Sequence, residues 1–164
     1  MNIKIKNNFL YINEFKLKCA LGKGGIKKNK KEGDRCTPKG EFNLGNIYYR
    51  KDRVNKPKSI LKAKIIKKNF GWCNDSKSKF YNSFIKFNKK TNFSFEKLFR
   101  KDFKYNYIIP IKYNYFKPLK NKGSAIFIHL TKKYDPTIGC VSVSKKDFII
   151  VSKLINKNSK IKIS

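Results

Sequence analysis

Two residues of this chain have the types that nucleophilic chemistry needs. One is Cys140, in "PTIGCVSV"; the other is His129, the only histidine, at the end of "SAIFIH". A cysteine nucleophile requires a base that raises its thiolate fraction, access for substrate, and donors for the oxyanion formed on attack. "HLTKKYDPTIGC" has the means for all three. His129 ends an apolar run, Pro136 can turn the chain back, and Gly139 permits the tight backbone that aims the Cys140 N–H into a cleft. If Cys140 opens a strand beside that of His129, their Cβ atoms lie about 5 Å apart, within imidazole–thiol reach. Residue type alone leaves a second reading open. Free cysteine is among the most buried residue types, and a lone histidine is often a hydrogen-bonded packing residue.

The elements that must hold this pair read as mainly β with short helices. Ile3 and Ile5 alternate with lysines, as do Phe15, Leu17 and Cys19, the pattern of half-buried strands. "LGKGGIKKNKKEGDRCTPKG" is too polar for an element of its own, and a loop of that length inside a compact domain is usually functional. "EFNLGNIYY" alternates again, with Phe42 and Leu44 on one side, and "SILKAKII" has strand composition. "SFEKLF" predicts a short helix capped by Ser94. In "YNYIIPIKYNY", Pro110 confines the strand to an edge or a bulge. "GSAIFIHL" is the strongest strand. After Cys140, Phe148, Val151 and Ile155 recur at helical spacing behind a Ser144/Asp147 capping box, and "KIKIS" closes the chain as a strand. Without repeats or low-complexity linkers, residues 1–164 read as one domain.

Composition narrows the partners. The net charge of +31 would suit nucleic acid, but only Arg35, Arg50, Arg53 and Arg100 are arginines. The lysines are spread along the whole chain, beside many Asn, Ile, Phe and Tyr residues whose codons are A/T-rich, so genome bias explains the charge as well as an anionic partner does. No apolar run is long enough for a membrane span. The N-terminal segment lacks the unbroken apolar stretch and cleavage site of a signal peptide, so a cytoplasmic location is expected as encoded, or the periplasm and cell wall by another export route. Cys19, Cys36, Cys73 and Cys140 form no C-x-x-C pair, and one histidine is too few for the usual zinc patterns. Free thiols, no metal and no cofactor are expected, with a monomer as the default state.

"IHLTKKYDPTIGCVSV" resembles the signature of the L,D-transpeptidase catalytic-domain (YkuD-like) family, in which a His strand leads to a Ser/Thr-x-Gly-Cys elbow. "GDRCTPKGEFNL" is similar to the family's Thr-Pro-x-Gly-x-Phe element, with Thr37, Pro38, Gly40 and Phe42 in place. "CALGKGG", "GWCNDSKSKFYN" and "GSAIFIH" look like a branch of short, single-domain bacterial members. The resemblance spans roughly Cys19 to Ile155. It implies a β-sandwich-like catalytic domain and a thioester mechanism on peptidoglycan stem tetrapeptides, cut between the L-centre of diaminopimelate and the terminal D-residue. Carried over, Cys140 is the nucleophile and His129 the general base. Gly139 and the Cys140 amide shape the oxyanion site, Thr137 holds the Ser/Thr position, and Tyr113 and Gly123 line or brace the approach. Two positions depart from the pattern. Ile138 stands where many members carry His, and Ser142 where many carry Arg or Asn. Arg35, or a lysine of the Gly-rich loop, is then the candidate for the substrate carboxylate, with Ser142 a further substrate contact. No Asp or Asn offers itself to orient His129, so a backbone carbonyl is expected to do so.

Three functions follow. The first is an L,D-transpeptidase, whose thioester is attacked by the amine of a second stem peptide. The second is an L,D-carboxypeptidase of wall recycling, in which water attacks; the loop lysines, which should repel an ammonium acceptor, tilt the chemistry that way. The third is a lysine-rich nucleic-acid-binding domain that uses phosphate contacts and aromatic stacking, with no established module visible.

Overall fold

The computed structural model describes residues 2–164. Alternation in the first fifty residues becomes strand at once. β1 (Asn2–Lys6) buries Ile3 and Ile5 and exposes its lysines. It turns into β2 (Phe9–Ile12) through Asn7 and Asn8, both at positive φ, as a two-residue hairpin turn of this kind requires. β3 (Phe15–Ala20) completes the meander. The Gly-rich segment holds only β4 (Ile26–Lys27) and β5 (Thr37–Pro38), which pair with each other. Then come β6 (Gly40–Asn43), β7 (Ile47–Tyr49), β8 (Ala63–Ile65), β9 (Phe70–Cys73), β10 (Phe84–Lys86), β11 (Phe95–Lys97), β12 (Tyr107–Pro110), β13 (Phe127–Leu130) and β14 (Val141–Val143). The helix α1 (Lys145–Leu154) and β15 (Lys160–Ile163) end the chain.

Ten strands form one curled sheet in the order β6-β15-β1-β2-β3-β14-β13-β12-β7-β8, and β10-β9-β11 form a smaller sheet. The chain is therefore mainly β, with a single α-helix among the described residues. The Ser144 hydroxyl accepts the Asp147 N–H at 3.1 Å to start α1, as the capping box predicts. Buried Phe148 then stacks on Tyr107, with ring centroids 5.1 Å apart. One apolar core lies on that side, built on Ile128, Val141, Val143, Phe148 and the first strands. A second core, of Trp72, Tyr105, Ile108 and Phe127, binds the small sheet to the large one. Residues on β13 alternate between the two, with Ile128 and Leu130 in the first core and Phe127 in the second. His129 shares the face of Phe127.

Three local expectations are corrected. "SFEKLF" is a strand, not a helix: Phe95, Glu96 and Lys97 pair with Cys73, Trp72 and Gly71. Six residues are too few to sustain a helix, and the exposed edge of β9 supplies partners that helix formation would forfeit. Pro110 lies within the sheet rather than at its edge, since β12 runs between β13 and β7. It is tolerated because only Tyr107 and Ile108 pair with β7, and Pro110 comes after them. "SILKAKII" contributes only Ala63–Ile65 to a strand. Among the described residues no helix is long and apolar enough to cross a membrane.

Candidate active site

β13 and β14 run parallel as neighbours, with Ile128 opposite Val141 and His129 opposite Ser142. Continuing that register by one step sets Cys140 beside Phe127, and the Phe127 N–H donates to the Cys140 sulfur at 3.3 Å. Because strand side chains alternate, Phe127, His129, Cys140 and Ser142 all face the same side. The pair eleven residues apart in sequence is thus one diagonal step apart on a sheet, and both line a cavity of about 580 Å³.

His129 is buried, and its Nδ1 lies 3.0 Å from the Leu130 carbonyl oxygen. A carbonyl can only accept, so Nδ1 carries the proton and Nε2 keeps its lone pair. The ring of Tyr105 packs against the imidazole at 5.6 Å. Burial pushes His129 down to about 4, against the raising effect of the Leu130 bond. Burial pushes the Cys140 thiol up to about 12, and the nearby Glu96 charge adds to that. The S–H donates to the Ala125 carbonyl at 3.3 Å. At rest the pair is a neutral thiol and a neutral imidazole. Desolvation opposes both charges, so the base that a cysteine nucleophile needs does not hold Cys140 as a thiolate in the free protein.

The elbow is held from two sides. The Thr137 hydroxyl accepts the Gly139 N–H at 3.1 Å and donates to the Cys140 carbonyl at 2.6 Å. Its backbone is stitched to the Gly-rich loop, with Thr137 N–H to Leu21 O at 2.8 Å and Lys23 N–H to Thr137 O at 2.9 Å. Gly139 sits at φ 132°, where an added Cβ would lie 2.8 Å from the Cys36 carbonyl oxygen. That carbonyl in turn accepts from Lys30, a lysine only 3 % exposed whose Nζ also bonds Asp34 at 2.5 Å. The long loop is therefore a wall of the site. The Cys140 N–H takes no part in these turn bonds.

The remaining sequence candidates are placed unevenly. Gly123 lines the cavity at φ 101°, and Tyr113 braces it from behind, 3.3 Å from where a Gly123 Cβ would stand. The Tyr113 hydroxyl donates to the Lys122 carbonyl. Ser142 also lines the cavity, and its hydroxyl is the one buried side-chain polar atom without a hydrogen-bond partner among the described residues. Arg35 is exposed, at φ 56°, and is not part of the cavity wall; the arginine found there is Arg100. Cys19 and Cys73 are buried, and Cys36 is a buried loop thiol donating to the Gly24 and Asp34 carbonyls.

Sequence reasoning missed the wall opposite the cysteine. Glu96, on β11, accepts from the Tyr105 hydroxyl, and burial raises its pKa despite that bond. Arg100 is clamped by Asp102 through Nε and Nη2, leaving its Nη1 3.8 Å from Glu96. Glu32 accepts from both Tyr81 and Ser124. The sequence offered only their scarcity, ten acidic residues in all; it is the fold that brings Glu32, Asp34, Glu96 and Asp135 to this one cavity.

A family model described as L,D-transpeptidase catalytic domain matches residues 4–163. No curated protein and no solved structure matches the chain.

Proposed function

The chain belongs to the L,D-transpeptidase catalytic-domain family, and on that footing we propose that it is a cysteine acyltransferase acting on peptidoglycan stem tetrapeptides. The whole of residues 1–164 serves as one catalytic domain in this reading. The observation that carries it is the shared face of His129 and Cys140 in one cavity, with Nδ1 fixed by Leu130 and Nε2 left as base.

The Cys140 sulfur attacks the amide carbonyl before the terminal D-residue while His129 Nε2 takes the thiol proton. Concerted transfer suits a pair that rests neutral. The carbonyl oxygen becomes an oxyanion facing the Cys140 N–H, the donor that the Gly139 turn leaves outside its own hydrogen bonds. The C–N bond then breaks, His129 returns the proton to the departing amine, and a thioester remains. An acceptor amine attacks the thioester and gives its proton to His129; the C–S bond breaks and the thiol is restored. Ser142 and Gly123 contact the donor, and Tyr113 keeps Gly123 in place.

Hydrolysis of the thioester, giving an L,D-carboxypeptidase, is the second reading. One observation favours it: Lys31, Lys104, Lys132 and Lys133 line the cavity and make no ion pair among the described residues, so they oppose the approach of a second ammonium. Incubation with muropeptides followed by mass spectrometry separates the outcomes. Cross-linked dimer marks the transferase and tripeptide the carboxypeptidase. Absence of both, with Cys140 intact and the protein folded, overturns both readings.

A further inference from the structure

Between β12 and β13 the chain reads "KYNYFKPLKNK" over residues 112–122, a loop outside both cores. Phe116 is 72 % exposed and Leu119 65 %, and Tyr115 beside them is exposed as well. Ile60 and Ile138 are exposed singly, which is ordinary for a protein surface. Phe116 and Leu119 stand three positions apart on one loop, and that loop is held in shape. The Asn114 side chain accepts the Leu119 N–H at 2.8 Å and donates to the Leu119 and Gly123 carbonyls, each at 3.0 Å. Asn82 donates to the Tyr113 and Asn114 carbonyls at 2.9 and 2.6 Å, and the Tyr113 hydroxyl donates to the Lys122 carbonyl. Tyr115 rests against the buried Trp72, with ring centroids 6.2 Å apart, and meets Phe116 edge-on at 5.4 Å. The apolar tip is thus built facing solvent, and little ordering entropy remains to be lost when it binds.

Charge says what the tip fits. Lys112, Lys117, Lys120 and Lys122 surround it, and none of them makes an ion pair among the described residues. No acidic residue occurs from Phe103 to Tyr134. The Lys112 ammonium lies 5.5 Å from the ring centres of both Tyr115 and Phe116. Apolar side chains ringed by ammonium groups match an anionic lipid surface, where the tip enters the acyl boundary and the lysines meet headgroup phosphates. A nucleic acid would use the lysines and the aromatic faces but has no use for Leu119. A protein partner is the poorer match, because lysine is depleted where proteins meet.

We propose that the 112–122 loop docks the protein on an anionic lipid bilayer, with Phe116 and Leu119 inserted below the headgroups and Lys117 and Lys120 on their phosphates. The contact is interfacial, in keeping with the lack of any described helix long and apolar enough to span. Docking does not depend on the chemistry assigned to Cys140. The loop runs directly into Gly123 on the cavity wall, so a docked protein holds that cavity beside the bilayer.

The test sediments the full chain with vesicles of pure phosphatidylcholine or of equimolar phosphatidylcholine and phosphatidylglycerol. Wild type should bind the anionic vesicles and leave the neutral ones largely unbound. Phe116→Ser combined with Leu119→Ser keeps the net charge at +31. That pair should weaken anionic binding about tenfold or more, the scale of two apolar side chains left in water. Lys117→Gln with Lys120→Gln should weaken it about tenfold. Lys145→Gln with Lys146→Gln, on the helix packed against the opposite face of the sheet, should change it by no more than about threefold. Insertion has its own readout. On anionic vesicles Phe116→Trp should add a blue-shifted emission to that of Trp72, and lipid brominated high on its acyl chains should quench it. A serine pair that binds like wild type, or a Phe116→Trp signal untouched by brominated lipid, would leave charge alone as the cause and overturn the docking. Equal losses from the two lysine pairs, or no binding by wild type, would overturn it too. So would a serine pair that loses affinity for a single-stranded oligonucleotide as steeply as for vesicles, since the loop would then be a nucleic-acid contact.

Discussion

The Nδ1–H of His129 donates to the carbonyl of Leu130 at 3.0 Å, so the imidazole offers an unprotonated Nε2 to the cavity it shares with Cys140. A neighbouring residue's own backbone replaces the acidic side chain that often orients a catalytic histidine. No substitution of Leu130 side-chain chemistry can remove it. His129→Ala, which deletes the proposed base, should lower kcat/KM on stem tetrapeptide by about 10²–10⁴-fold. A variant within fivefold of wild type, by the criterion of that general-base range, would remove His129 from the reaction.

The low pKa of His129 fixes an acid limb. Because burial holds it at about 4, the free enzyme should keep its base unprotonated from pH 7 down through pH 5, with kcat/KM falling only as pH nears 4. The same group makes stability pH-dependent. Below the ordinary value of 6.5 the unfolded chain takes up a proton that the folded one refuses, so stability is lost as pH falls from 6.5 toward 4. The slope from this group is at most about 1.4 kcal/mol per pH unit. Glu96, whose pKa is raised, acts in the opposite sense near the carboxylate range. The difference between wild type and His129→Asn in urea melts at pH 4, 5 and 7 isolates the histidine. Equal acid sensitivity in both proteins would contradict its burial as a neutral base.

Cys140 should not behave as a preformed thiolate. With burial pushing its thiol up to about 12, alkylation of the free protein by iodoacetamide should climb about tenfold per pH unit from 7 to 9, in step with the thiolate fraction. A plateau near neutral pH, as in a thiolate–imidazolium pair, would contradict the neutral resting state.

What the sequence revealed about this site, and what it hid, divides by the range of the interactions. Ile3/Ile5 alternation and the Ser144 cap of α1 are local, and they form as their residues dictate. The Cys140 elbow was also legible, since Gly139 and Thr137 act within three residues of the cysteine. Glu96 was hidden because its strand exists only through pairing with Trp72, some two dozen residues earlier, while its own segment has helix-like composition. The Lys30–Cys36 carbonyl contact and the neutral state of the Cys-His pair are likewise products of burial, which spacing does not encode. Arg35 drew attention by charge alone, and charge says nothing about which way a loop residue faces.

Gly139→Ala should damage both stability and activity. At φ 132° the new Cβ would stand 2.8 Å from the Cys36 carbonyl oxygen, so the elbow or the loop must move. A loss of about 1–3 kcal/mol is expected from the backbone strain alone. Thermal melts check the first effect, and acylation rate at saturating peptide checks the second. An alanine variant with wild-type melting and rate would show that the elbow is not confined by the loop.

The most direct measurement is intact-protein mass spectrometry after rapid mixing with stem tetrapeptide and acid quench. A mass gain equal to the tripeptide less one water is expected, mapped to Cys140, absent from Cys140→Ala and much slower to appear in His129→Ala. Turnover by Cys140→Ala, or product formed by wild type with the adduct never detected on Cys140 at any quench time, would contradict it.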